Sequence, residues 1–231
     1  MSGSVTSIAA NQANALHELA ALLNNAAAGQ FPPPDGSVTV LRQPSGRDAG
    51  VISFTAHAVI FADTDPGWIR SRLTSGDLSA PLEPRFLHAL GEKLSRSAVI
   101  DMLTCASALP GDPPDKIELA ELPGDAGHEH PRVVRALDHR DEVRVWQADG
   151  GVVMIGRGVA DRWEVAVEVD PLSRGSGLGR RLALAARHLV PEAAPLWAQI
   201  APGNAASVRA FLHAGFRPVG AEALFSPLCA R

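Results

Sequence analysis

The 231-residue chain has 46% hydrophobic and 20% charged residues, a formal net charge of −4 and no tyrosine. Those fractions exclude wholesale disorder, and the negative charge argues against a general nucleic-acid binder. No apolar run approaches the ~20 residues that span a bilayer, and no basic start leads into an apolar stretch, so neither a membrane anchor nor a leader is expected.

Basic residues are nearly all arginine, with Lys93 and Lys116 the only lysines, a bias expected of a GC-rich bacterial genome. Cys105 and Cys229 lie far apart at no metal-ligand spacing, which fits the reducing cytoplasm. The length suits one generous domain or two small ones.

Residues 14–28 read as a helix with Leu16, Leu19, Leu22 and Leu23 on one face, ended by Gly29 and a proline turn. Apolar, β-branched runs at Val38–Leu41 and Val51–Phe61 read as strands. Asp65-Pro66 starts a helix through Leu73, because proline is preorganised for a first turn. Pro84 opens another that carries Phe86, Leu87, Leu90 and Leu94, and a strand at Ala98–Thr104 closes this half. The stretch 108–115, with three prolines and a glycine, blocks both helix and ladder. It predicts a boundary between an N-terminal α/β domain, 1–112, and a second domain, 113–231.

Beyond it, Lys116–Leu122 alternates as a half-buried strand does, and Pro131–His139 reads as a helix with Val133, Val134 and Leu137 inward. Three strands follow at Glu142–Ala148, Val152–Gly156 and Arg162–Val169, the first two joined by the hairpin signal Asp149-Gly150. In the third, Val165, Val167 and Val169 share one face; Glu164, Ala166 and Glu168 share the other. A helix at Leu178–Val190, a strand at Leu196–Ile200 and a helix at Asn204–Ala214 complete the run.

The stretch V-E-V-D-P-L-S-R-G-S-G-L-G-R-R-L takes a strand into a glycine-rich turn and then a helix. Such a turn points consecutive backbone N–H groups into one volume at a helix N-terminus, which suits phosphate oxygens. Gly175, Gly177 and Gly179 carry no obstructing side chains, and Arg174, Arg180 and Arg181 add positive charge. The dinucleotide fingerprint fails, because its third glycine falls at Arg180, and no Gly-Lys-Ser/Thr follows for a nucleoside triphosphate.

With the downstream segment N-A-A-S-V-R-A-F-L-H-A-G-F, this stretch resembles the GNAT superfamily of acyl-CoA-dependent N-acyltransferases. Arg174, Gly177 and Gly179 match the family's Arg/Gln-x-x-Gly-x-Gly/Ala motif. Asn204 through Phe216 match its later Asn-initiated helix ending in Gly-Phe. The resemblance covers 142–220, extends back to 116, and is absent before that. It implies a mixed, mostly antiparallel sheet flanked by helices, with acetyl-CoA as acyl donor, an amine as acceptor and no metal.

Site residues follow from the same resemblance. Backbone amides of Arg174, Gly175, Ser176, Gly177, Leu178, Gly179 and Arg180 would hold the CoA pyrophosphate. Backbone groups around Val167 and Val169 would pair with the pantetheine arm, which requires two central strands to splay apart. Asn204 would reach the cofactor, and it is also a strong N-cap, with Gly215 as the matching C′ residue. Glu164 or Glu168 would take the amine proton, with a pKa raised by partial burial. The competing expectation is that one or both are solvated or paired with Arg144, Arg157 or Arg162. The family's tyrosine, four residues before the glycine of Gly-Phe, is Phe211 here, which can pack on the cofactor arm but cannot donate a proton. Ser207, one turn earlier, could anchor a water for the leaving thiolate; otherwise the thiolate departs unassisted.

Other polar residues carry less. His128, His130 and His139, with Glu129 and Asp138, match no strong metal-ligand spacing. Cys105 is expected to be a buried strand residue. His57, Asp63, Asp65 and Trp68 are expected in core and cap roles ahead of an acceptor pocket, and Trp146, Trp163 and Trp197 in the sheet packing. The rival reading is a non-catalytic acyl-CoA-binding regulatory module, and the N-terminal half is a candidate acceptor cover, or a degenerate GNAT-like copy of the same fold serving as a structural or homodimer surface.

Overall fold

The computed structural model of the chain describes residues 2–113, 117–123 and 130–227, with side chains described from residue 11 onward. It is a mixed α/β fold of mostly antiparallel strand pairs with flanking helices. Two compact units make it up, Met1–Met102 with Val219–Arg231, and Leu103–Pro218. One division falls inside a long strand, β4 (Arg96–Ala106), and the other inside β10 (Arg217–Pro227). The proline-rich stretch 108–115 follows shortly after the first.

The first unit contains α1 (Ser2–Ala27), β1 (Val38–Leu41), β2 (Gly50–Phe54), β3 (His57–Phe61), α2 (Pro66–Arg70) and α3 (Pro84–Leu94), with strand order β1-β3-β2-β10-β4. Leu19 and Leu23 give α1 its buried face, each 1% exposed. The helix begins well before residue 14, because leucine periodicity marks a buried face and not the serine- and alanine-rich turns ahead of it. The run Val51–Phe61 is two strands, turned at Ala56 with a left-handed φ of 53°. Phe86, Leu87 and Leu90 of α3 pack with Val51, Ile60, Ala223 and Phe225 of the sheet. The strand β10 has no counterpart in the sequence expectation, although Val219, Ala221, Ala223 and Phe225 alternate along it.

The second unit contains β5 (Ala120–Leu122), α4 (Pro131–His139), β6 (Asp141–Ala148), β7 (Gly151–Arg157), β8 (Trp163–Val169), α5 (Leu178–Leu189), β9 (Leu196–Ile200) and α6 (Ala205–His213). Its strand order is β4-β9-β8-β7-β6-β5. Strands β5 to β8 pair antiparallel, and the β6–β7 hairpin turns at Gly150, whose φ of 80° suits glycine. Trp146, Trp163 and Trp197 are buried in this unit, at 4%, 3% and 1% exposure.

One face of this sheet packs on α4, where Val133 and Ala136 meet Val145, Val152, Met154 and Ala166. Val134 and Leu137, expected inward, are 41% and 40% exposed. At ~100° per residue, Val133 and Ala136 define the inward stripe, and their neighbours turn to its flank. On the other face, α5 packs on β8, where a Cβ built at Gly179 would lie in ordinary contact with Val169 Cγ2, at 3.5 Å. The strand expected at Lys116–Leu122 is three residues long, and Lys116 lies outside the described residues.

Candidate functional site

Strands β8 and β9 run parallel but form backbone pairs only at Trp163–Leu196 and Glu164–Trp197. Both strands continue beyond that point, to Val169 and Ile200, without further pairing. The result is a fork with its apex at Glu164. Along β8, Val165 and Ala166 are buried, whereas Val167, Glu168 and Val169 are half-buried. Beyond the apex, β8 carries backbone groups toward β9 that no strand among the described residues takes up, an edge an extended chain can join. The splayed strands expected from the sequence are present.

The glycine-rich turn sits at the open end of β8. Gly175 and Gly177 have φ of 81° and 80°, the left-handed conformation that glycine adopts without strain, and a Cβ on either would meet nothing within 4 Å. Gly177 is the N-cap of α5, and no side chain caps that terminus. Ser176 Oγ instead donates to Ser173 O at 2.7 Å. The leading amides of α5 thus have no N-cap side chain among the described residues, and the first amides of a helix have no intrahelical acceptor.

The first turn of α5 holds Arg180 and Arg181 and no acidic residue. Cations at a helix N-terminus oppose the macrodipole, and an anion bound there reverses that disadvantage. Arg174 Nε donates to Val169 O at 3.2 Å, so its exposed guanidinium lies across the end of β8. Gly179 lies between β8 and α6, since its built Cβ would fall 3.9 Å from Ala210 Cβ. Turn, strand end and α6 converge here.

Glu164 occupies the apex, and its surroundings correct the expectation of a raised pKa. Its side chain is 4% exposed. Oε1 accepts from Arg162 Nε at 2.8 Å, Gln199 Nε2 at 3.0 Å and Val159 N at 3.3 Å, while Oε2 accepts from Arg140 Nε at 2.9 Å. Burial by itself pushes this carboxyl up. The charges of Arg162 and Arg140 and their hydrogen bonds outweigh that and hold it below the usual carboxylate range. A carboxylate so held is a poor proton acceptor. The pairing with Arg162 matches the competing expectation for this residue, whereas Arg140 and Gln199 were not singled out from sequence.

Glu168 is different. It shares the α4 face of β8 with Ala166, is half-buried, and its carboxylate makes no hydrogen bond or ion pair among the described residues. It lies about 13 Å further along the strand than Glu164, at ~3.3 Å per residue.

Asn204 performs its cap role on α6, with Oδ1 accepting from Ser207 N at 3.1 Å. Ser207 is half-buried. Phe211 is 6% exposed, and its ring meets Phe216 edge-on at 4.9 Å between centroids and 73° between planes. Gly215 follows with φ of 89°.

Cys105 is buried at 7% exposure. Burial pushes its thiol up to about 12, against the opposing charges of Arg162 and Arg217. In the first unit, His57 is buried between the Asp35 carboxylate (3.2 Å), Ser37 Oγ (3.2 Å) and Thr39 Oγ1 (3.0 Å). Asp63 accepts from Gln43 N at 3.3 Å, and Asp65 caps α2 through Trp68 N at 2.7 Å. Those residues hold local structure, as expected. His128 and Glu129 lie outside the described residues. A cavity of about 720 Å³ opens beside Leu178 and Arg181 of α5, lined also by Gln147, Asp149 and residues 117–120. Its lining includes no residue of β8 or β9, so it is separate from the fork.

No protein-family model matches the chain. No curated protein matches it either. Among solved structures, the chain is similar to GCN5-related N-acetyltransferases. One, from Kribbella flavida, is 19% identical over 61% of this chain and 63% of its own, with a TM-score of 0.40. Another, from Sphaerobacter thermophilus, is 13% identical over 61% and 55%, with a TM-score of 0.37. An acetyltransferase of the GNAT family from Colwellia psychrerythraea is 11% identical over 62% of each chain, also at 0.37. The matched region spans less than two thirds of each of these relatives, between 55% and 63%.

Proposed function

We propose that the chain transfers an acetyl group from acetyl-CoA to an amine, with residues 113–231 carrying the donor. One observation carries the reading: pairing between β8 and β9 stops at Glu164–Trp197 on a strand that leads straight into the uncapped N-terminus of α5. The pyrophosphate accepts hydrogen bonds from backbone N–H groups between Arg174 and Arg180, with the Arg174 and Arg180 charges close by. The pantetheine arm lies along Val167 and Val169 as an added strand. Asn204 reaches the donor while still capping α6, and Phe211 supplies an apolar wall.

The amine nitrogen attacks the thioester carbonyl carbon, forming the C–N bond. The C–S bond then breaks, and the electron pair leaves on sulfur. A strand amide at Val167 or Val169 stabilises the transient oxyanion. Glu168, directly or through a water, takes the proton the amine loses. Glu164 is not assigned that task, because two guanidiniums already hold its charge. A thiol of pKa ~8–9, by analogy with cysteine, leaves as thiolate without a phenol. Ser207 can hold a water beside it.

The test is thiol release from acetyl-CoA across a panel of amines. Amine-dependent release is expected, falling at least ~100-fold in Glu168→Gln with acetyl-CoA affinity kept. Release that ignores both the amine and Glu168 would refute the assignment of the base.

A second reading is a non-catalytic acyl-CoA-binding module. It is favoured by the ion-paired Glu164 carboxylate and by the Phe211 ring packed on Phe216. Tight acetyl-CoA binding without thiol release for any amine would select it.

A further inference from the structure

The Glu164 cluster stands where the β8–β9 ladder ends, and its bonds join segments far apart in sequence. Gln199 lies two residues past Trp197, the last residue of β9 paired with β8. Its side chain continues the connection after the backbones part, with Nε2 donating to Glu164 Oε1 at 3.0 Å. Gln199 Oε1 accepts from Arg140 Nη2 at 3.4 Å, and Arg140 Nε donates to Glu164 Oε2 at 2.9 Å. Arg140 is the C-cap of α4 and immediately precedes β6. On the far side of β9, Thr104 Oγ1 of β4 donates to Ala198 O at 3.0 Å. That bond fixes β9 from its other edge, just where β8 and β9 separate.

The surroundings are shaped around this carboxylate. A Cβ on Gly158 would overlap the Glu164 carboxyl group. The 158–162 connection places Val159 N on Oε1 and passes through left-handed φ values at Ala160 (51°) and Asp161 (58°). Two side-chain cations, one side-chain amide and one backbone amide therefore converge on a single buried carboxylate.

We propose that Glu164, Arg140 and Gln199 are positioning residues that set the width of the β8–β9 fork and so its fit to the pantetheine arm. This rests on the acyl-CoA reading above. The Gln199 amide holds β9 at one side-chain length from β8, and Arg140 ties that spacing to the end of α4. A fork whose width is fixed before binding needs no ordering when the arm enters, so removing the tie weakens donor binding. The cluster lies at the apex and donates nothing to the reacting atoms.

The test is calorimetric binding of acetyl-CoA to the full chain and to Gln199→Met, Gln199→Asn and Arg140→Lys, with thermal unfolding of each in parallel. Methionine keeps the volume of Gln199 and removes its amide; asparagine keeps the amide and shortens its reach; lysine keeps the charge of Arg140 and loses the second donor. Each should weaken binding by about fivefold, the loss expected for one net hydrogen bond. The Arg140→Lys/Gln199→Met double variant should lose less than the product of the two single losses, because the Arg140–Gln199 bond is common to both changes and all three side chains form one network. Wild-type affinity in Gln199→Met and Gln199→Asn, even with a lowered Tm, would make the cluster merely structural and overturn the proposal alone. Two losses that multiply in the double variant would overturn it as well. Failure of the wild-type chain to bind acetyl-CoA would overturn the underlying reading and the proposal with it.

Discussion

Arg162 Nε donates to Glu164 Oε1 at 2.8 Å, with the two side chains only 3% and 4% exposed. A second guanidinium, Arg140, meets the other oxygen at 2.9 Å. Removing the carboxylate charge takes from both guanidiniums the buried counter-ion they share. Glu164→Gln should therefore cost about 3–5 kcal/mol of stability near neutral pH, measured by urea unfolding.

The same pair sets a pH dependence. The folded Glu164 carboxyl lies below its ordinary 4.5. As pH falls past that value, the unfolded chain takes up this proton before the folded one does. Stabilisation by Glu164 is thus complete above the unfolded value and is lost as pH falls through the folded one. The stability gap between wild type and Glu164→Gln should shrink on acidification below about pH 4.5. A gap that stays constant down to the onset of acid unfolding would contradict the ion-pair account.

Gly177 separates fold from ligand binding. Any side chain there is strained by the φ of 80°, yet it meets nothing within 4 Å. Gly177→Asn and Gly177→Glu should both fold, losing roughly 1–2 kcal/mol, with asparagine at the lower end because it tolerates the left-handed region. Only the glutamate puts a negative charge at the α5 N-terminus, so only it should abolish acetyl-CoA binding. Equal affinities for the two variants would argue against a phosphate seat at that turn.

Phe211 is a core residue in the position of the absent tyrosine. Truncation to alanine removes the edge-on contact with Phe216 at 4.9 Å. It should destabilise the chain by about 3–5 kcal/mol, the usual range for a buried phenylalanine. A loss below ~1 kcal/mol, within the range of surface changes, would mean that the ring serves the ligand more than the core.

Cys105 should be chemically silent. With its thiol pushed up to about 12, little thiolate exists at neutral pH, and burial blocks access. In a Cys229→Ser background, maleimide should label Cys105 only when denaturant is added. Rapid labelling of the native protein would contradict the burial of β4 at that point.

The sequence made the regular elements of the second unit legible, because each announces itself locally. Asp149-Gly150 marks the hairpin, the valines mark β8, and Asn204 with Gly215 brackets α6. The fork was also foreseen, although only through resemblance to a family whose chemistry requires one. Two partners of Glu164 are hidden in the sequence, because Arg140 and Gln199 lie 24 and 35 residues away and nothing in either local pattern points to a shared carboxylate. Burial direction failed at α4, where Val134 looks as apolar as Val133, and only the neighbouring sheet selects the stripe Val133–Ala136. The strand β10 was passed over, because Pro218 and Gly220 interrupt the alternation that identifies it.

Calorimetric titration of the full chain with acetyl-CoA tests the central claim most directly. The fork and the uncapped α5 terminus predict saturable one-to-one binding that Gly177→Glu abolishes. No heat of binding at millimolar acetyl-CoA, from a protein that is folded and unfolds cooperatively, would contradict it.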